Sequence, residues 1–391
     1  MKKFTLQSIV FVLVAFMLGC NEFIVVGILS DLAKDFSVSL ATVGYLVTIF
    51  ATVYAVSTPF ITVLTSRFPR YKTLLTLIGI FFVGNTLSGL ATNFVFMVVS
   101  RILTAMTAGS IISLVMTFSS QIAPREKRAS LVSWVFAGFS IASVFGVPIG
   151  VAISTSIGWR YAFFSISVLT LIVFGLLLFL LPRHVTQTTS SIKNQLALLL
   201  DARIYLGVAL VLFSAAAMYG YYTYIRPLLT TAMGFSLGSL NWLLFIIGIM
   251  SIINNRLSGK LAEKADSLHR LPKFYIADII LLVLLPLGLS NQMVGLGMIL
   301  VLTLIITILN APLQLHFLNI ADADYPQSLV LASSLSSIFF NFGISLGSAT
   351  ASILVGPLGL NRISFGSAVF AAIALGLVIA LNRANKRRVA H

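Results

Sequence analysis

The chain has 391 residues and a net charge of +15, with 59% of its residues hydrophobic and only 9% charged. Soluble domains carry roughly 25% charged residues, so most of this chain has no water to face and a soluble globular fold is excluded. A single cysteine, Cys20, excludes an internal disulfide.

The positive charge does not mark nucleic-acid binding. Most of the 25 Lys and Arg fall in segments on one side of the spans below, among them Arg67, Arg70, Lys72, Arg125, Lys260, Lys264 and Arg388. This is the positive-inside bias, with both termini in the cytoplasm.

An apolar run of about 20 residues can cross a bilayer. Twelve such runs lie at 6–29, 39–65, 72–92, 94–119, 130–152, 161–181, 203–225, 239–258, 273–290, 292–316, 327–352 and 363–382. Backbone groups in lipid must bond internally, so each run is predicted to be an α-helix. The runs are continuous rather than alternating, which argues against strands. The basic start and Leu18-Gly19-Cys20 imitate a lipoprotein or cleavable signal. The run continues to Leu29, however, and is needed for an even span count.

The first span holds Glu22, an acid deep in the run with no neighbouring charge. An ionised carboxylate there is costly, and intramembrane acids commonly serve proton relays. Glu22 is therefore the candidate proton-coupling carboxylate and a counter-charge for a cationic substrate. The alternative is a structural acid bonded to a neighbouring helix. Arg101 in the fourth span is its candidate partner. Counted from Ser30 and from Asn93, both sit about 12 Å in from the same face. A static buried pair is the competing reading.

In the fifth span Gly138, Ala142, Gly146 and Gly150 recur at every fourth residue. That spacing leaves one helix face nearly bare, so another backbone can come close. Pro148 removes a backbone donor there. The seam is either one that bends or a static packing surface. Pro182 to Asp201 is the longest polar interval and divides the chain into 1–181, a linker at 182–201, and 202–391. Asn194 to Leu200 is either a short interfacial helix or plain linker.

The seventh span carries Tyr219, Tyr221, Tyr222 and Tyr224, read as an interfacial belt or as a cavity wall for flat or cationic molecules. Arg226 is expected to snorkel at the outer face. Asp278, five residues after Lys273, is expected to reach the cytoplasmic surface and pair with a basic residue. Asn254, Asn255, Asn310, Gln314, His316 and Asn341 are polar groups in apolar runs. Most are expected to bond between helices, with one or two touching substrate. His316 is a candidate proton relay. The candidate substrate set is Glu22, Tyr221, Tyr222, Tyr224, Asn254, Asn310 and Asn341.

The halves echo each other. Gly343, Gly347 and Ala351 repeat the small-residue rhythm, and the basic loop at 66–72 has a counterpart at 259–264. Duplicated halves place a binding site near the bilayer midplane. No Walker loop, Cys/His cluster or Gly-x-Ser-x-Gly elbow appears, so no ATP, metal, cofactor or enzymatic activity is expected.

Several segments carry a family resemblance. They are Asn21-Glu22-Phe23-Ile24-Val25-Val26-Gly27-Ile28-Leu29, Ser100-Arg101-Ile102-Leu103 with Gly109, and Gly138 through Gly150 with Gly158-Trp159-Arg160-Tyr161. Tyr222-Thr223-Tyr224-Ile225 with Pro227 and Phe340-Asn341-Phe342-Gly343 with Gly347 complete them. Together they resemble the major facilitator superfamily, and within it the twelve-span drug:proton antiporters and arabinose-type sugar-efflux permeases. The fifth-span pattern resembles the mark of exporters. The resemblance implies an all-α membrane protein of twelve transmembrane helices in two pseudo-symmetric six-helix bundles. It also implies a monomeric, proton-coupled exporter of drugs or lipophilic cations in a bacterial inner membrane. Arg67, Gly138, Gly146, Pro148, Gly150, Gly259, Gly343 and Gly347 would serve its conformational change. One departure is Ser66, which stands before Arg67 where the family has an Asp that latches one state. A sugar or metabolite exporter of the same fold, and a receptor or assembly protein that no longer transports, are the alternatives.

Overall fold

Apolar runs without water to satisfy their backbones fold as long helices. The computed structural model describes residues 2–65, 68–124, 127–183, 197–264, 266–325 and 328–389. Ser66, Arg67 and most of the mid-chain linker lie outside these residues. The helices are α1 (Lys2–Asp35), α2 (Leu40–Thr65), α3 (Arg70–Gly89), α4 (Phe94–Ile122), α5 (Arg128–Ile141), α6 (Val147–Ile157) and α7 (Trp159–Leu180). After the linker come α8 (Ala202–Tyr222), α9 (Leu237–Ala262), α10 (Ser267–Gly288), α11 (Gln292–Ile305), α12 (Asn310–Asp324), α13 (Leu329–Leu358) and α14 (Ser364–Val389). Among the described residues there are no strands, and twelve helical stretches are long and apolar enough to span a bilayer. Many outward side chains are large and apolar, Phe60, Phe179, Trp242 and Leu287 among them, a surface suited to lipid rather than water.

The chain falls into two compact units, Met1–Thr188 with Asn241–Gly248, and Thr189–Leu240 with Ile249–His391. In the first, α5 and α6 form one span joined by a π-helical turn at Ala142–Gly146. Pro148, which has no N–H to donate, stands two residues past this turn, in the first turn of α6 where its missing donor costs least. The small-residue face of this span packs on α1. A Cβ on Gly138 would lie 2.6 Å from the Val12 carbonyl oxygen, so only glycine fits. Gly146 and Gly150 face Cys20 and Ile24 on the same helix.

The second unit repeats the arrangement. Gly343 on α13 packs against the Leu212 carbonyl of α8, and Gly347 meets Ala216. Gly259 differs, since a Cβ there would meet nothing within 4 Å. The tenth span is broken between α11 and α12. Pro312 cannot bond to the Ile308 carbonyl, and Ser258 on α9 donates to that oxygen instead (2.8 Å). Ser258 Oγ also accepts from the Ala311 N–H (2.9 Å). One turn earlier, Asn254 donates to the Leu304 carbonyl (2.6 Å) and accepts from Thr307 (3.1 Å).

The first helix runs past its expected end at 29, to Asp35. Its added turns are polar but partnered: Asp31 accepts from Ser154 (2.5 Å), and Asp35 pairs with Arg160 (2.9 Å).

Candidate functional site

The first unit has a polar centre inside an apolar bundle, built from residues on four helices. Asn21 on α1 and Arg101 on α4 are both 0% exposed. Arg101 Nη1 donates to the Asn21 carbonyl (3.0 Å) and to its Oδ1 (2.8 Å). Asn21 Nδ2 donates to Asn85 Oδ1 on α3 (2.7 Å). Asn85 in turn donates to the Phe163 carbonyl (2.8 Å) and to Ser167 Oγ (2.7 Å) on α7. The guanidinium lies over the Phe50 ring of α2, 4.2 Å from its centroid. Its Nε and Nη2 are buried with no hydrogen-bond partner.

Glu22 is the next residue along α1 and is half-buried. Its charge and that of Arg101 interact. The two form no direct ion pair: Arg101 Nη1 is bonded to Asn21, while Nε and Nη2 are left without a partner. The ion pairs of Arg160, Arg203 and Arg270, by contrast, lie at helix ends. Outside the spans, the exposed Asp266 carboxyl is held below the usual carboxylate range by hydrogen bonds from Arg270.

The remaining candidates are dispersed in the second unit. Tyr221 and Tyr224 are both 0% exposed, and Tyr224 donates to Ser352 (2.9 Å). Tyr222 is half-buried and meets the Tyr219 ring at 5.8 Å. Successive helix residues point about 100° apart, so Tyr222 does not share the sealed position of Tyr221. Asn254 is committed to the broken span. Asn310 begins α12 and is half-buried. Asn341 donates to the Ser337 carbonyl of its own helix (3.1 Å).

Two expectations, for Asp278 and Arg226, need correction. Asp278 does not pair at the surface; it is 1% exposed and its Oδ1 has no hydrogen-bond partner. Lys273, five residues earlier, is exposed and points about 140° away around the helix. Arg226 does not snorkel, being only 3% exposed. His316 sits beside Arg203 and Asp201, where Arg203 bridges Asp201 (2.6 Å) and Asp324 (2.8 Å).

Sequence reasoning missed Asn21 and Asn85 as members of the centre. The signal was present, since both are amides within apolar runs, the criterion that singled out Asn254. Asp31 and Asp35, one turn apart, were missed because the first span was ended too early.

The twelve candidate spans among the described residues define a polytopic membrane protein. The chain belongs to the Major Facilitator Superfamily, whose family model matches residues 11–348. It is 32% identical over 348 residues to the uncharacterized MFS-type transporter YtbD of Bacillus subtilis (strain 168), covering 88% of this chain and 87% of that one. It is 29% identical over 365 residues to the inner membrane transport protein YdhP of Escherichia coli (strain K12), covering 93% and 92%. A solved bacterial homologue of the human lysosomal transporter Spinster has a TM-score of 0.79 to it, with 16% identity and 98% and 97% of the chains covered. At that identity the likeness is one of fold alone.

Proposed function

We infer that this protein is a proton-coupled antiporter that exports small organic molecules, with lipophilic cations as the first class to test. It would work as a monomer in a bacterial inner membrane, with both termini cytoplasmic. The observation that carries the reading is Arg101, fully buried with two of its three nitrogens, Nε and Nη2, unpartnered, next to a half-buried carboxylate on α1. A guanidinium left short of acceptors favours a nearby negative charge. An ionised Glu22 that swings toward Nε and Nη2 satisfies them. A protonated Glu22 has no charge to offer and is released. Proton arrival therefore changes a local charge balance, the kind of event that biases a two-state bundle. The same carboxylate, once ionised, attracts a cationic substrate, so proton and substrate compete for one group. That competition is the physical basis of antiport.

The test is transport in proteoliposomes under an imposed pH gradient. Glu22→Gln is expected to abolish gradient-driven movement of a lipophilic cation while the protein stays folded. Gradient-driven transport by this variant at the wild-type rate would remove Glu22 from the mechanism.

A further inference from the structure

Among the described helices, two carry an acid well inside their apolar length, away from either end: α1 with Glu22 and α10 with Asp278. Asp278 stands midway along α10 and is 1% exposed. Asn85 and Asn254, polar residues within apolar runs like it, are bonded to a neighbouring helix. Asp278 is not, because its Oδ1 is buried without a partner.

The surroundings offer no compensating charge. On its own helix Tyr275, three residues back, shares its hydroxyl with Ser214 of α8 (2.5 Å). From α8, Tyr221 is within charge reach of it. α11 carries no titratable residue. On α14 the basic residues lie in the last turns, beginning at Arg383. On α12, His316 stands instead with Arg203 and Asp201. An ionised carboxylate sealed in such a place, with no cation and no donor bonded to it, is strongly disfavoured; the unpartnered Tyr221 hydroxyl is the neighbouring group that could donate to it. A carboxyl that keeps its proton is neutral and is tolerated.

We propose that Asp278 is a second proton-binding site, carried by the second unit and separate from Glu22. It holds a proton in this conformer and yields it to water when the transport cycle wets its carboxyl. The step balances simply: the carboxyl O–H bond breaks, its electron pair stays on Asp278, and the proton leaves on water. Nothing is oxidised or reduced. The role in transport rests on the proton-coupled reading above, but the proton exchange itself does not. One consequence is that loss of Glu22 would leave a protein that still binds and releases a proton.

The test is infrared spectroscopy of the full chain in lipid nanodiscs, reading the carbonyl band of protonated carboxylic acids through a pH titration. Wild type, Glu22→Gln, Asp278→Asn and the double variant are compared. Glu22→Gln is expected to keep a band that shifts in heavy water and disappears as pH rises, and the double variant to lose it. Equal spectra for Glu22→Gln and the double variant would overturn the proposal. So would a band that neither exchanges nor titrates while the protein remains folded. If Asp278→Asn fails to fold, wild-type protein with carbon-13-labelled aspartate gives the answer. An isotope-shifted, exchangeable acid band at neutral pH supports the site, and its absence overturns it. Proteoliposome transport separates the two readings. A titrating Asp278 band in a protein indifferent to a pH gradient sinks the antiport reading and leaves the proton site standing.

Discussion

Asn85 shows how much one side chain can hold. Its amide accepts from Asn21 and donates to Phe163 and Ser167, so it ties α3 to α1 and α7. Through Asn21 it also sets the position of Arg101. Replacing it with alanine strands buried polar groups on two helices, α1 and α7, at about 1–3 kcal/mol for each group left unsatisfied. Asn85→Ala is therefore expected to lower the thermal unfolding midpoint in detergent. It should also weaken gradient-driven transport through the loosened guanidinium. An unchanged midpoint would mean that the network is not holding the helices. Glu22 and Arg101 were legible in the sequence because a charge in an oily run is conspicuous. The bond from Arg101 to Asn21 was not, because apolar spacing gives depth along a helix but no rotation about it.

Helix pairs are governed by what their faces lack. The fourfold spacing of small residues in the fifth and eleventh spans announced a close approach, and α1 and α8 make it. What the spacing could not name was the partner helix. Gly138→Val is expected to cost about 1–3 kcal/mol by forcing side-chain atoms into the α1 backbone, seen as reduced yield of folded protein. Gly259→Ala, facing open space, is expected to leave yield unchanged. Equal losses in the two would mean that the seam is not the constraint. The gap in the tenth span escaped sequence reading for a plain reason. Pro312 sits in a continuous apolar run, and the groups that repair the break, Asn254 and Ser258, lie about 50 residues away.

At the scale of the whole molecule, the two units share a helix plan but not a chemistry. One places its inner acid on α1 beside an arginine; the other places it on α10 among tyrosines. Hydropathy and duplication made the twelve-helix plan legible, since lipid leaves the backbone so few options. Orientation is the remaining claim at this scale, and it rests on the basic residues. Cys20 is buried, so introduced cysteines report alone. Ser290→Cys is expected to react with an impermeant maleimide from outside intact cells, and Lys386→Cys only after permeabilisation. The reverse pattern would overturn the assignment of both termini to the cytoplasm.

The repaired break has a mechanical consequence. Asn254 grips one side of the gap and Ser258 the other, so α9 acts as a splint across a joint. A splinted joint can flex without exposing bare backbone to oil. A bilayer thinner or thicker than usual would be met there, by a change of bend in one rod, before any neighbouring helix had to shift.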